Sequence, residues 1–328
     1  MAHEVENMMY VGATPWHELG VKLDRAPTSR EAITAAGCDW RVGLKPLFTE
    51  EHAQVSHKAV YRETDGRILG VVGPGWMPLQ NESAFAWFDP FLESGEATIE
   101  TAGSLRDGAR VWVLAKITGS DIPIVPQDDD RIARYILLAN GHDGVLGCHV
   151  GYTPVRVVCA NTLAMAREAG ASKLLRIQHR KNIAQTLDDV RGVMNTINQT
   201  FEATAEQYRM LAQHGISGKQ LEKYVQRVFG TRVEVRDLDA LTPEQEEELK
   251  GKGARVLDQI TPLFESGRGN DLPGVRGTWW AAFNGVTEYV THARGSDASK
   301  RLDAVSFGDG ARLIRRALDV AVKMAVAA

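Results

Sequence analysis

Cysteine is scarce in this sequence: Cys38, Cys148 and Cys159 are the only three in 328 residues. That is too few for a disulfide scaffold, and no Cys-x-x-Cys pair offers half of a zinc site. Long apolar runs are missing too. No stretch approaches the roughly 18 consecutive apolar residues of a membrane helix, so no membrane association is expected. The opening Met1-Ala2-His3-Glu4-Val5-Glu6 is acidic and leads into no apolar signal-peptide core, so a cytoplasmic location in a reducing compartment is expected. Phosphate-loop chemistry is absent as well. Gly308-Asp309-Gly310-Ala311-Arg312 lacks the Gly-Lys-Ser/Thr ending of a nucleotide cradle, and Gly73-Pro74-Gly75 runs into Met77-Pro78 where a dinucleotide loop needs its third glycine. No Gly-x-Ser-x-Gly elbow occurs. His142, Cys148, His149 and Cys159 have zinc-ligand types. However, Cys148 and His149 are neighbours in an apparent strand and face opposite sides, which argues against one shared ion. No catalytic residue, metal or cofactor is therefore assigned, and the reading leans away from an enzyme.

The composition is that of a globular chain: 44% hydrophobic, 24% charged, net charge −4. That excludes a polycation but leaves room for a local basic groove. Up to about residue 160 the chain is punctuated by turn dipeptides. Asp65-Gly66 separates Val55–Arg62 from Arg67–Val72. Asp107-Gly108 separates Thr98–Ala102 from Ala109–Ile117. A wider turn, Asn140 to Gly144, separates Arg131–Ala139 from Val145–Val150. Thr28-Ser29-Arg30-Glu31 is a capping box opening a short helix, and Asn81 is the expected cap of another that Pro90 kinks or ends. The tryptophans of this half read as core.

Beyond Cys159 the period becomes helical. Ile183, Leu187, Val190, Met194, Ile197, Phe201, Tyr208 and Leu211 form one apolar stripe. Ser217 to Gln220 and Thr242-Pro243 open further helices. The expected fold class is α+β: an antiparallel sheet of serial hairpins in the N-terminal half, packed by long helices from the C-terminal half. The expected division is a β-rich domain over 1–170 and a helical region over 171–328, with a loop at 266–277 before the last helical block.

Charge is unevenly spread. From Arg131 to Lys181 there are eight basic residues and two acids, a local charge of +6. His142, His149 and His179 add potential charge, and Tyr135 and Tyr152 add rings. Cations on strands with interleaved aromatics suit single-stranded nucleic acid, because the cations neutralise phosphates and the rings stack on bases. The candidate binding residues are Arg131, Arg134, Tyr152, Arg156, Lys173, Arg176, Arg180 and Lys181. Tyr152, between Gly151 and Pro154, is the expected stacking ring.

Several stretches together resemble a known family: Pro15-Trp16-His17-Glu18-Leu19-Gly20, Leu79-Gln80-Asn81-Glu82, Cys159-Ala160-Asn161-Thr162-Leu163 and Trp279 through Tyr289, along with the opening hexapeptide. In order and spacing they resemble the phage/plasmid-like proteins of domain-of-unknown-function family 932. The resemblance implies a mobile-element origin and a bacterial host cell, but no catalytic residue. Hairpins backed by a long helix are also similar, at the level of architecture, to annealing proteins of the RecT, Red-beta and Erf kind. The expectation is thus a single-stranded DNA-binding and annealing protein, working in recombination without ATP as a homo-oligomeric ring or filament. Two alternatives stand beside it. One is an enzyme whose site is assembled from scattered residues such as Asn161, His149, Glu288 and His292. The other is a host-interaction or anti-defence protein acting by surface binding.

Overall fold

A computed structural model describes residues 5–12, 20–119, 121–156, 161–162, 175–186, 198–230, 235–295, 301, 304–305 and 308–327. In chain order these residues form β1 (Val5–Val11), β2 (Val21–Leu23), α1 (Ser29–Ala35), β3 (Val42–Phe48), β4 (Gln54–Arg62), β5 (Ile68–Val72), α2 (Asn81–Ala86), α3 (Asp89–Glu93), β6 (Ala97–Leu105), β7 (Arg110–Ile117), β8 (Ile122–Val125), β9 (Asp130–Gly141), β10 (Cys148–Arg156), β11 (Asn161–Thr162), β12 (Leu175–Ile177), α4 (Asn198–Gln213), α5 (Gly218–Phe229), α6 (Pro243–Ser266), α7 (Trp279–Glu288) and α8 (Asp309–Val326). The chain is α+β, with antiparallel strands in its N-terminal half and helices in its C-terminal half.

It folds as two compact units. Unit 1 comprises Met1–Ser120, Tyr135–Tyr152 and Lys173–Ile197. Unit 2 comprises Asp121–Arg134, Thr153–Ser172 and Asn198–Ala328. Strands β9 and β10 each give residues to both. The boundary expected at 170–171 lies outside the described residues.

In unit 1 the second hairpin forms as read; β9 and β10 also pair, but their turn spans 142–147 and not 140–144, because Asn140 and Gly141 stay in the β7 ladder. Arg106, Asp107 and Gly108 all take positive φ, which turns β6 back onto β7, and β7 pairs with β9 from Arg110↔Gly141 to Lys116↔Tyr135. β1 adds antiparallel to the other side of β6, and β2 joins β1 in parallel. The first hairpin does not extend this sheet. β4 and β5 pair with β3 in a separate three-stranded antiparallel sheet, so the single meander expected from the turn signals is two sheets. Alternation reports the two faces of a strand but says nothing about its partner. Met9, Ile99, Val111, Val113, Ile136, Leu138, Cys148 and Val150 bury their side chains in one core. They share it with Val60 and Leu69 of the small sheet, with Ile33 and Phe85 of the helices and with Phe88 between α2 and α3.

Two local readings change. Thr28 caps α1 with both arms of a capping box, as expected, but Asn81 is the first residue of α2 and its side chain is buried. Pro90 does not end a helix: it sits in the first turn of α3, where its missing N–H costs nothing.

In unit 2, β8 pairs with the start of β9, and Arg209 Nε of α4 donates to Pro123 O of β8 at 3.0 Å. Helix α7 is buried along its whole length. Its Trp280 ring packs on Tyr208 of α4, and its Trp279 ring packs edge-on to Tyr224 of α5. Loop 266–277 is pinned inside this unit. Asn270 Nδ2 donates to Leu263 O and Ala281 O, and Gly274 N donates to Asp128 Oδ2 at 2.6 Å. Of the apolar stripe, Ile183 is buried in the core of unit 1, whereas Phe201, Tyr208 and Leu211 are buried in unit 2. Residues 187–197 between them lie outside the described residues.

Asp130 is fully buried and its Oδ2 accepts a 2.7 Å hydrogen bond from Trp280 Nε1. Trp280→Phe keeps a ring but removes that donor from a buried carboxyl. The expected loss is about 1.5–3 kcal/mol of unfolding free energy by urea denaturation. A loss under about 0.5 kcal/mol, the level of an ordinary surface change, would show that the bond is not needed.

Candidate nucleic-acid interface

The site is built at the end of β9. There His142 N donates to Ala109 O at 2.8 Å, and its ring is completely buried. Asn81 Nδ2 donates to Cys38 O at 3.0 Å and to Trp40 O at 3.4 Å, which leaves Asn81 Oδ1 to accept. His142 Nε2 lies 2.9 Å from that oxygen and so carries the proton. Among the described residues the Nδ1 lone pair of His142 has no hydrogen-bond partner.

The next residue shapes a turn. Asp143 accepts from Arg110 Nε and from the backbone N–H groups of Val145 and Leu146, all at 2.8 Å. Burial alone would raise its pKa. The Leu146 N–H, Arg110 and the Val145 N–H outweigh burial and hold the carboxyl below the usual carboxylate value. Gly144 takes φ +75°, and a Cβ there would lie 2.7 Å from Val71 O. A Cβ on Gly70 would meet the Asp143 backbone at 2.6 Å. Only glycines at both positions let β5 back the turn this closely.

β12 pairs antiparallel with β10, setting His149 opposite Arg176 and Cys148 opposite Ile177. Cys148 and Ile177 turn into the core, while His149 and Arg176 take the other face. Past β12, His179 Nδ1 donates to Met77 O at 3.0 Å and Met77 N donates to His179 O at 3.1 Å. That reciprocal pair docks the chain on the Gly73–Met77 segment. Trp76 stacks on the His179 ring, with centroids 4.7 Å apart and planes 16° from parallel. The result is an open depression of about 520 Å³. Gly75, Trp76, Arg176, Gln178, His179, Arg180 and the turn 144–147 line it.

Of the eight candidate residues, Arg176 and Arg180 meet in this depression. Both are exposed, and Lys181 follows exposed in the chain. Arg131 and Arg134 belong to unit 2, where Arg131 is ion-paired with Asp129. Arg156 ends β10 opposite Asn161; its side chain, like all of Lys173, lies outside the described residues. Tyr152 is half-buried and packs against the unit 1 core, in place of the free-standing ring expected from Gly151 and Pro154. Tyr135 is buried and its hydroxyl donates to Glu100 at 2.7 Å. Among the described lining residues the depression offers Trp76, which is half-buried and, as expected for the tryptophans of this half, packs against the core of unit 1.

The residues of the enzyme alternative divide between the units. His149 is in unit 1; Asn161, Glu288 and His292 are in unit 2. Glu288 is buried and its Oε2 accepts from Arg268 N at 3.1 Å, a structural use of the carboxylate. Among the described residues no group of histidine, cysteine and acidic side chains is arranged to hold a metal ion, and no helix is long and apolar enough to cross a membrane.

Residues 68–318 match the model of a family described as "Domain of unknown function (DUF932)". No curated protein and no solved structure matches the chain.

The histidines do not add charge near neutral pH. Burial, reinforced by the neighbouring His179, pushes His142 down to about 3; burial, with His149 nearby, pushes His179 down to about 4. Both rings stay neutral in the fold, while in the unfolded chain they take up a proton near pH 6.5. Their contribution to stability is therefore complete above about 6.5 and shrinks as pH falls toward 4 and then 3. Thermal melts between pH 7.5 and 5 are expected to show a falling Tm, less steep in His142→Gln. A Tm independent of pH over that interval would contradict the buried, neutral assignment.

Proposed function

The chain belongs to the DUF932 family, and from its geometry we propose that it binds single-stranded DNA through the depression of unit 1. On this reading it acts as an annealing protein in recombination without ATP, assembled from several copies of the chain. The observation that carries the proposal is the meeting of Arg176 and Arg180 with the Trp76–His179 stack in one open, glycine-backed depression. Guanidinium forks match phosphate oxygens, and an indole face accepts any base. Among the described residues neither Arg176 nor Arg180 is ion-paired with an acid, in contrast to Arg110 and Arg131. The one carboxylate at the turn, Asp143, is engaged by Arg110 and backbone N–H groups and so presents little negative charge to a phosphate. Assembly is supported by the outer strands of the small sheet, where β3 exposes Phe48 and β5 exposes Ile68.

Titration of a fluorescent oligothymidine at increasing salt tests the proposal. Each phosphate contact contributes about −0.7 to the log–log slope for a single strand. The double variant Arg176→Ala/Arg180→Ala is expected to flatten the slope by about 0.7 for each phosphate that the pair neutralises and to weaken binding. An unchanged slope and affinity, or no binding by the wild-type chain, would overturn it.

A further inference from the structure

We infer that the depression is a one-nucleotide site, taking a single base with one adjoining phosphate. This rests on the single-strand reading and narrows it: a strand is engaged by one nucleotide, at its end or turned out of its path, and is not laid along a track. Size is the first argument. At about 520 Å³ the depression lies within the roughly 300–1,000 Å³ of sites that enclose small molecules. A track spans several nucleotides, with successive aromatics for successive bases. Here the rings among the described lining residues are Trp76, which also packs against the core of unit 1, and the His179 ring stacked on it, one stack and not a series.

Charge is the second argument. Arg176 and Arg180 supply two guanidiniums to the depression, a match for one phosphate group. The third argument concerns the base. Val145 is 74% exposed and lines the same depression, yet its backbone is fixed by the N–H donated to Asp143. An apolar side chain held at the rim of a site with an aromatic floor gives a planar ring contacts beyond those with Trp76. Gln178, exposed in the lining, offers amide hydrogen bonds to a base edge.

Calorimetric titration of the full chain with deoxyadenosine 5′-monophosphate, deoxyadenosine and inorganic phosphate tests this, alongside displacement of a labelled oligothymidine. The monophosphate is expected to bind one per chain and to displace the oligonucleotide. The nucleoside and the phosphate each should bind about 10-fold more weakly or worse, since each loses half of the contacts. Trp76→Leu should weaken the monophosphate about 5- to 150-fold, the range of one base–aromatic stack. Trp76→Phe, which keeps a ring over His179, should retain most of the affinity, and it serves as the test if the leucine variant melts early. Oligonucleotide binding that depends on Arg176 and Arg180 but is not displaced by the monophosphate would overturn the one-nucleotide site and leave the single-strand reading standing. Monophosphate binding without any oligonucleotide binding would do the reverse. Monophosphate binding unchanged in a folded Trp76→Leu variant would also overturn the one-nucleotide site.

Discussion

The buried bond between His142 Nε2 and Asn81 Oδ1 is the constraint around which unit 1 is arranged. One side-chain amide satisfies the carbonyls of Cys38 and Trp40 with its nitrogen and the end of β9 with its oxygen, so three distant stretches of chain meet at one residue. None of these groups has water to fall back on, and an unmade hydrogen bond there costs about 1–3 kcal/mol for each stranded group. The register of β9 against β7 is thereby fixed at its last residue. The turn that follows, led by Asp143, starts from a set position. The depression inherits its shape from that starting point: a displaced His142 would carry Gly144 away from Val71 and the rim away from Trp76.

Burial also sorts the charges of the site. Imidazoles packed away from water remain neutral, and the one nearby carboxylate is saturated by donors, so the field in the depression is set by arginines that do not titrate. In a chain of net charge −4 this local positive potential is a matter of placement and not of composition. A count of cations along the sequence does not show this placement. Arg131, Arg134 and Arg176 fall within fifty residues of one another, yet the fold assigns the first two to a different unit from the third.

Much of the local structure was legible. Capping boxes at Thr28, Ser217 and Thr242 open their helices because the signal lies within four residues. The Asp107-Gly108 hairpin forms because its turn needs positive φ and has the residues for it. What failed was non-local. Whether β4 and β5 joined the large sheet or made their own depended on β3, a strand containing Pro46 that no alternation marked out. Asn81 looks like a cap because caps are where short polar residues before a helix usually serve; only the distant Cys38, Trp40 and His142 make it a core residue. Of the site, the arginines flanking His179 were readable as charge. Trp76 was readable as core, against which it packs, but its place in the depression comes from the distant His179 stacked on it.

Strands β9 and β10 run through both units, and the chain passes from one unit to the other at 120/121, 134/135, 152/153, 172/173 and 197/198. A gene encoding such a fold cannot be divided between two parents at will. A crossover anywhere from 121 to 197 would join pieces of unit 1 and of unit 2 from different ancestors at once, with strand registers and cores that had never been selected together. The depression itself draws on 75–76, 144–147 and 176–180, so the stretches that carry it have to pass between genomes together, with the parts of unit 2 that lie between them in the chain.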